Sequence, residues 1–317
     1  IEQLMNYKHH FSISYNNITV ELSIFDYKKT INKKKLDLII KRILLMGLIK
    51  QESNVVNKKT NKVKINVNLI LTNKTKNIST QYKTLGPTEI NSGLSTYAYN
   101  YDEFCKVTIY REEELNKLLI HELIHNLRLD FLFVNFTDFY TFVNIPPDTK
   151  ITLNESYTEI MACILNSIVC SYELNNRKNK KLAIRYIKYE ILFSFYQVAK
   201  ILCHFGFINS HEFFKPNTTT SFDNAKFIQN TNVFSYFIVK TSLLLNMDLF
   251  LKFLSHIQFM NMPLYNKTSR DTYLTFVKKS LLNPKYIHII DEFMNYIKSV
   301  KQKKKILDTL RMTIIEI

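Results

Sequence analysis

Glycine is scarce in this sequence, at 4 residues in 317, and proline is little commoner at 6. So few flexible positions exclude Gly-rich phosphate loops and the glycine-patterned turn of dinucleotide-binding folds, and they argue against a turn-dense β-sandwich. Long helices with few breaks are favoured instead. The four cysteines, Cys105, Cys163, Cys170 and Cys203, form no CxxC pair, so a cysteine-held zinc site is not expected. Four are also too few for a disulfide framework in a chain this long. Most lie in apolar runs and read as buried thiols of a reducing, intracellular compartment. Sequons such as those at Asn73 and Asn217 arise by chance in an Asn-rich and Thr-rich chain. No uncharged apolar run reaches the length of a membrane span. The nearest, from Val233, is interrupted by Lys240, Asp248 and Lys252 and reads as a packed helix pair. The sequence begins at Ile1, not Met, so a missing leader and secretion stay open.

Acidic residues are also short, 27 against 43 Lys and Arg, for a formal net charge of +16. Excess positive charge is a footprint of nucleic-acid binding. Only seven of the 43 are Arg, however, and the Lys-rich runs KKTINKKK, NNRKNKK and KQKKK sit at element ends. A solvated Lys surface is therefore favoured, with a nucleic-acid-associated protein kept as a competing reading. Lys, Asn and Ile are what AT-rich codons encode. That composition suits a large DNA virus, and with it a location within a virus particle, or an AT-rich microbe.

What is present is apolar material, 46% of the chain, enough for one large or two ordinary domains. Residues 11–25 alternate on both sides of Asn16-Asn17, a hairpin signal. Helical spacing over 33–49 ends near Gly47. Strands are expected at 61–72, at 90–99 as a short edge, and at 104–110. From Arg111 the pattern turns helical: 111–129 with Glu112, Glu113 and Glu114 in its first turn, then 154–174 with Asn154 as N-cap. The stretch 175–181 reads as an exposed turn, and helices follow at about 182–206, 232–257, 268–282 and 285–304. The expected fold is α+β, in three parts: a β-rich region 1–110, two helices over 111–175, and an α-helical region 176–317.

The buried helix 111–129 carries His121-Glu122-Leu123-Ile124-His125, an H-E-x-x-H motif. Residues i and i+4 share a helix face, so both imidazoles reach one metal, and Glu122 sits beside them. Composition alone yields such a match about 0.01 times per chain. Two core histidines with a paired Glu are the plain structural alternative, but three titratable groups in an apolar helix are costly without a task. Cofactor and ligand count follow: one zinc per chain, held by three protein ligands with one open position. The positions that would continue a metzincin motif are Arg128 and Phe131, and Asp130 lacks the context of an aspartate-ligated class. The next downstream carboxylates with helical spacing are Glu155 and Glu159, again i and i+4.

HELIH followed by NESYTEI at 154–160 resembles the gluzincin, thermolysin-like metallopeptidases, over about 40 of the 317 residues. The resemblance implies a zincin-like fold, with Glu155 as third zinc ligand and Glu159 and Asn154 in supporting positions. It implies a peptidase in which Glu122 takes a proton from the zinc-activated water and passes it to the leaving amine. A peptide or protein is then the substrate, captured as an added strand near 90–96, where Gly93 would admit its backbone. An oxyanion donor is expected from further along the chain, with Tyr157, His204 and His211 as candidates. HELIH also occurs in clostridial neurotoxin light chains, a resemblance that would move the third ligand to Glu159. A structural or assembly protein retaining a zincin fold, for example in a virus particle, is the remaining alternative.

Overall fold

The computed structural model describes residues 7–27, 29–53, 62–78, 84–96, 106–130, 135–136, 138–147, 149–175, 179–215, 226–256, 267–300 and 308–316. Outside them lie parts of several sequence readings. These are strand positions 97–99 and 104–105 with Cys105, the sequon at Asn217, the turn residues 176–178, and the helix ends at 257 and 301–304 with the run KQKKK.

The amino-terminal third builds one mixed sheet. Strands β1 (Tyr7–Tyr15) and β2 (Ile18–Asp26) form the expected hairpin, and Asn16 and Asn17 take φ of 45° and 63° at its turn. Asparagine tolerates that region, and such a turn matches the twist of the flanking strands. Helix α1 (Lys33–Glu52) then crosses to β3 (Val63–Ile70), which pairs parallel with β2. A short helix α2 (Pro87–Ile90), an edge strand β4 (Gly93–Ser95) and β5 (Lys106–Ile109) complete the order β1-β2-β3-β5-β4. Alternate β2 residues Ile18, Val20, Leu22 and Ile24 point inward, as the strand period requires.

Helix α1 corrects one reading. It does not stop at Gly47 but runs five residues further, to Glu52. Gly47 is there for packing: a Cβ would lie 2.9 Å from two side-chain carbons of Ile18. Alanine there is expected to cost about 1–3 kcal/mol of overpacking, offset by about 1 kcal/mol of helix propensity. Urea unfolding should therefore show Gly47→Ala less stable than the parent, and an unchanged midpoint would contradict the close approach. Elsewhere on α1 Arg42, fully buried, makes a two-pronged pair at 2.7 Å with Glu173.

After β5 comes α3 (Leu115–Asn126), a short ribbon of β6 (Asn135–Phe136) and β7 (Ile151–Thr152), and α4 (Asn154–Asn175). The rest is helical: α5 (Lys180–His204), α6 (Ser210–Phe213), a π-helical stretch Phe234–Val239 leading into α7 (Lys240–Leu245), then α8 (Met247–His256), α9 (Lys267–Leu281) and α10 (Pro284–Ser299). The fold is thus α+β, with a five-stranded mixed sheet first and a helical second half. The apolar run from Val233 does break into a helix pair, at Asn246 between α7 and α8. Among the described residues no helix is long and apolar enough to cross a membrane. Cys163 and Cys170 are buried free thiols, pushed up by burial to about 12 and about 11. Their reactivity is correspondingly low.

Helix α3 is shorter than its sequence pattern. Glu112, Glu113 and Glu114 precede it and do not form its first turn. Each has another partner. Glu112 pairs with Lys35, Glu113 accepts from the Lys76 amide, and Glu114, in the left-handed region at φ 63°, accepts from Lys76 Nζ at 2.7 Å. The helix packs against α1, α4, β4 and β5 and is buried along its length, which places its polar residues at the centre of the molecule.

Candidate metal centre

Helix periodicity stacks His121 and His125 on the face of α3 that meets the start of α4. The Nε2 atoms of the two imidazoles lie 3.1 Å apart. Glu155, one residue into α4, brings Oε2 to 3.1 Å from His125 Nε2 and 3.5 Å from His121 Nε2. These three residues form a group that could hold a metal ion, with its donor atoms all within 4.8 Å of one another. A tetrahedral zinc with bonds of about 2.0–2.1 Å needs donors about 3.3 Å apart, and the three edges bracket that value.

The other ring nitrogens explain why the donors converge. His125 Nδ1 is 2.7 Å from Asp130 Oδ2, and His121 Nδ1 is 2.8 Å from Glu159 Oε2. A carboxylate only accepts, so His125 Nδ1 carries a proton and leaves Nε2 turned toward His121 and Glu155, while Glu159 Oε2 stands in ion-pair contact with His121 Nδ1. Two Nε2 atoms and a carboxylate oxygen then face one another, a donor set that suits a metal cation. The same convergence sets the electrostatics. Burial alone would lower the His125 imidazole, but Glu155 and Asp130 outweigh it and hold it well above its ordinary value. Burial would raise Glu155, and the two histidines hold it below the usual carboxylate range. Glu159 is likewise held low against burial, chiefly by Lys117.

Glu122 lies on the neighbouring face of α3. Its Oε2 accepts from Ser95 Oγ at 2.9 Å, and burial raises its carboxyl above the usual range despite the nearby histidines. A cavity of about 20 Å³ adjoins it, lined in part by Gly93, His121, Tyr236 and Met312. That is room for about one water molecule. Gly93 lies on the expected edge strand, but its missing side chain serves Glu122: a Cβ would meet Glu122 Oε1 at 2.8 Å. The space expected there for a substrate backbone is used by the carboxylate itself.

The remaining sequence candidates fall elsewhere. Tyr157 is fully buried, with its ring against Phe250 and Tyr273. His204 ends α5 beside Phe205, and His211 is exposed on α6. None of these three lines the cavity beside Glu122. Tyr236 does, with its ring edge-on to His121 at 6.0 Å. It sits in the π-helical stretch, a distortion that often marks functional positions. Asn154 begins α4, but its Oδ1 makes no capping bond. Its side chain instead approaches Asp130, donating Nδ2 to Oδ2 at 3.4 Å.

Asp130 itself was legible only as a rejected ligand. It reaches His125 because Arg128 takes φ of 53° just past the end of α3 and turns the chain back. A left-handed non-glycine residue is uncommon, and here it places a carboxylate under a site residue.

No known family's sequence profile matches the chain. An uncharacterized protein of Acanthamoeba polyphaga mimivirus is 26% identical to it over 209 residues. That match covers 62% of this chain and 49% of the mimivirus protein, so the chain spans about half the length of this relative.

Proposed function

We propose that the chain is a zinc metallopeptidase of zincin-like fold, with His121, His125 and Glu155 holding the metal. The observation that carries this reading is the convergence of two buried imidazoles and the partly buried Glu155 carboxylate beside Glu122, with a cavity the size of one water against Glu122 and His121. Two imidazoles, one carboxylate and no thiolate are a donor set of catalytic zinc sites. Zinc bound there would polarise both a water and a substrate carbonyl.

The chain's own residues supply the rest. Glu122 takes a proton from the attacking water and delivers it to the leaving amine, a role suited by a carboxyl that burial makes more basic. Ser95 fixes the orientation of that carboxylate. Burial and the Glu155 and Glu122 carboxylates push Tyr236 well above its ordinary value, so its hydroxyl stays protonated and serves as the donor to the developing oxyanion. A cleft of about 600 Å³, lined by Pro87, Asn91, Pro146, Gln229 and Asn232 among others, adjoins the small cavity through Asn91. The substrate peptide lies in that cleft.

The carboxylates behind the two histidines, Asp130 and Glu159, give a quantitative expectation. Asp130→Ala should weaken zinc binding about 10–100-fold, read by competition with a chromophoric chelator, because it frees the His125 ring. Unchanged affinity would remove Asp130 from the site.

A virus-associated setting is supported by the mimivirus relative. The test of the whole reading is cleavage of a mixed peptide library by zinc-loaded protein against chelator-treated protein. Fragments that depend on zinc support it. One bound zinc per chain with no cleavage would move the reading to a structural or assembly role.

A further inference from the structure

We propose that Lys117 is a positioning residue for the metal site, acting on His121 through Glu159 and anchored by the segment Asp308–Ile315. The proposal rests on the metal-site reading above.

Lys117 lies one turn before His121 on α3 and is 1% exposed. Its ammonium donates to Glu159 Oε1, while Oε2 of the same carboxylate stands 2.8 Å from His121 Nδ1. One carboxylate is thus held between a buried cation and a metal-site ring. A long aliphatic side chain with no charge would fill the same space on an apolar helix. A buried ion pair is on average no more stabilising than such a replacement. The arrangement instead fixes an angle: with Oε1 tied to Lys117, Oε2 stands against His121 Nδ1 and keeps the ring turned so that Nε2 faces His125 and Glu155.

The anchoring comes from a segment distant in sequence. Residues 308–310 pair with the chain near Lys76, through Ile78 N to Asp308 O at 2.7 Å and Leu310 N to Lys76 O at 2.9 Å. The next amides, of Met312 and Thr313, donate to Glu114 Oε1 at 2.5 and 2.6 Å. Met312 Sδ lies 3.9 Å from Lys117 Nζ, and Met312 O accepts from Lys240 at 3.1 Å. Ile314 and Ile315 amides donate to Glu190 at 3.1 and 3.0 Å. Lys76, Lys117 and Lys240 thus sit among Glu114, Glu159 and Glu190, every one of them at most 1% exposed. Formal charges balance three against three. Within that set Lys117 is the cation joined to a carboxylate that contacts a metal-site histidine.

The experiment uses the full chain and compares Lys117→Met with Arg42→Met, which strips an equally buried cation from the Glu173 pair on α1. Zinc affinity is read by chelator competition, site geometry by the visible spectrum of the cobalt(II)-substituted protein, and stability by thermal melting without metal. Lys117→Met should weaken zinc binding about 10–100-fold and alter the cobalt spectrum. Arg42→Met should lower the melting temperature and leave affinity within about threefold, as expected for a site that touches no ligand. If Lys117→Met does not fold, the charge-neutral pair Lys117→Met with Glu159→Gln is measured, and at least tenfold weaker binding is again expected. Equal affinities in Lys117→Met and Arg42→Met, or parent-like affinity in the double variant, overturn the proposal. A parent protein that binds no zinc overturns the site reading beneath it, and is told apart because the loss precedes any substitution.

Discussion

Glu122→Gln leaves zinc bound and lowers peptide cleavage by about 10²–10⁴-fold. The two side chains have the same shape. The amide still meets Ser95 and still fits beside Gly93, where a Cβ would lie 2.8 Å from Glu122 Oε1. What is lost is the ability to take a proton, so the effect should fall on kcat and leave zinc content and melting temperature as in the parent. Initial rates on a cleaved peptide, with zinc content measured on the same sample, decide it. A Glu122→Gln protein that cleaves at the parental rate removes Glu122 from the chemistry and sinks the enzyme reading with it.

Removal of the metal has the second large effect, on stability. His121, His125 and Glu155 direct three acceptors into one buried space, so the folded state gains a ligand the unfolded chain holds poorly. At a free zinc concentration a thousandfold above Kd the gain is about 4 kcal/mol. In a protein of this size that corresponds to a melting shift on the order of 10 °C. Chelation should therefore lower Tm by about that amount, and His125→Ala should melt at the chelated temperature with or without zinc. Identical melting of the parent with and without zinc would contradict the coupling. The Lys-rich composition bears on the choice of partner here. Lys76, Lys117 and Lys240 are buried with three carboxylates, Glu114, Glu159 and Glu190, so their burial leaves the +16 excess on the rest of the chain.

The features legible in the sequence were those written in local spacing. Asn16-Asn17 marked the hairpin because two consecutive left-handed residues are a local demand. HELIH marked the face of α3 that brings His121 and His125 together because i and i+4 share a helix face. Glu155 and Glu159 were legible as a pair for the same reason, but which one faces the Nε2 atoms was not. That depends on how α4 meets α3, which places Glu155 over the histidine pair and leaves Glu159 between Lys117 and His121 Nδ1. Gly47 was misread as a stop because a helix-interior glycine and a helix end look alike until Ile18 is seen against it. Glu112, Glu113 and Glu114 were misread as a dipole-matched first turn because their actual partners, Lys35, Lys76 and residues 312–313, lie far along the chain. Tyr236 was one of 19 tyrosines and carried no local signal, since it reaches the site from a helix more than a hundred residues past the motif.

The central claim is that one zinc sits between α3 and α4. Diffraction from crystals grown with zinc, recorded on both sides of its absorption edge, tests it most directly. The account predicts a single anomalous peak about 2.0–2.2 Å from His121 Nε2, His125 Nε2 and a Glu155 carboxylate oxygen, with Glu159 still against His121 Nδ1. A peak ligated by Glu159 in place of Glu155, or no peak between the two histidines at saturating zinc, would contradict it.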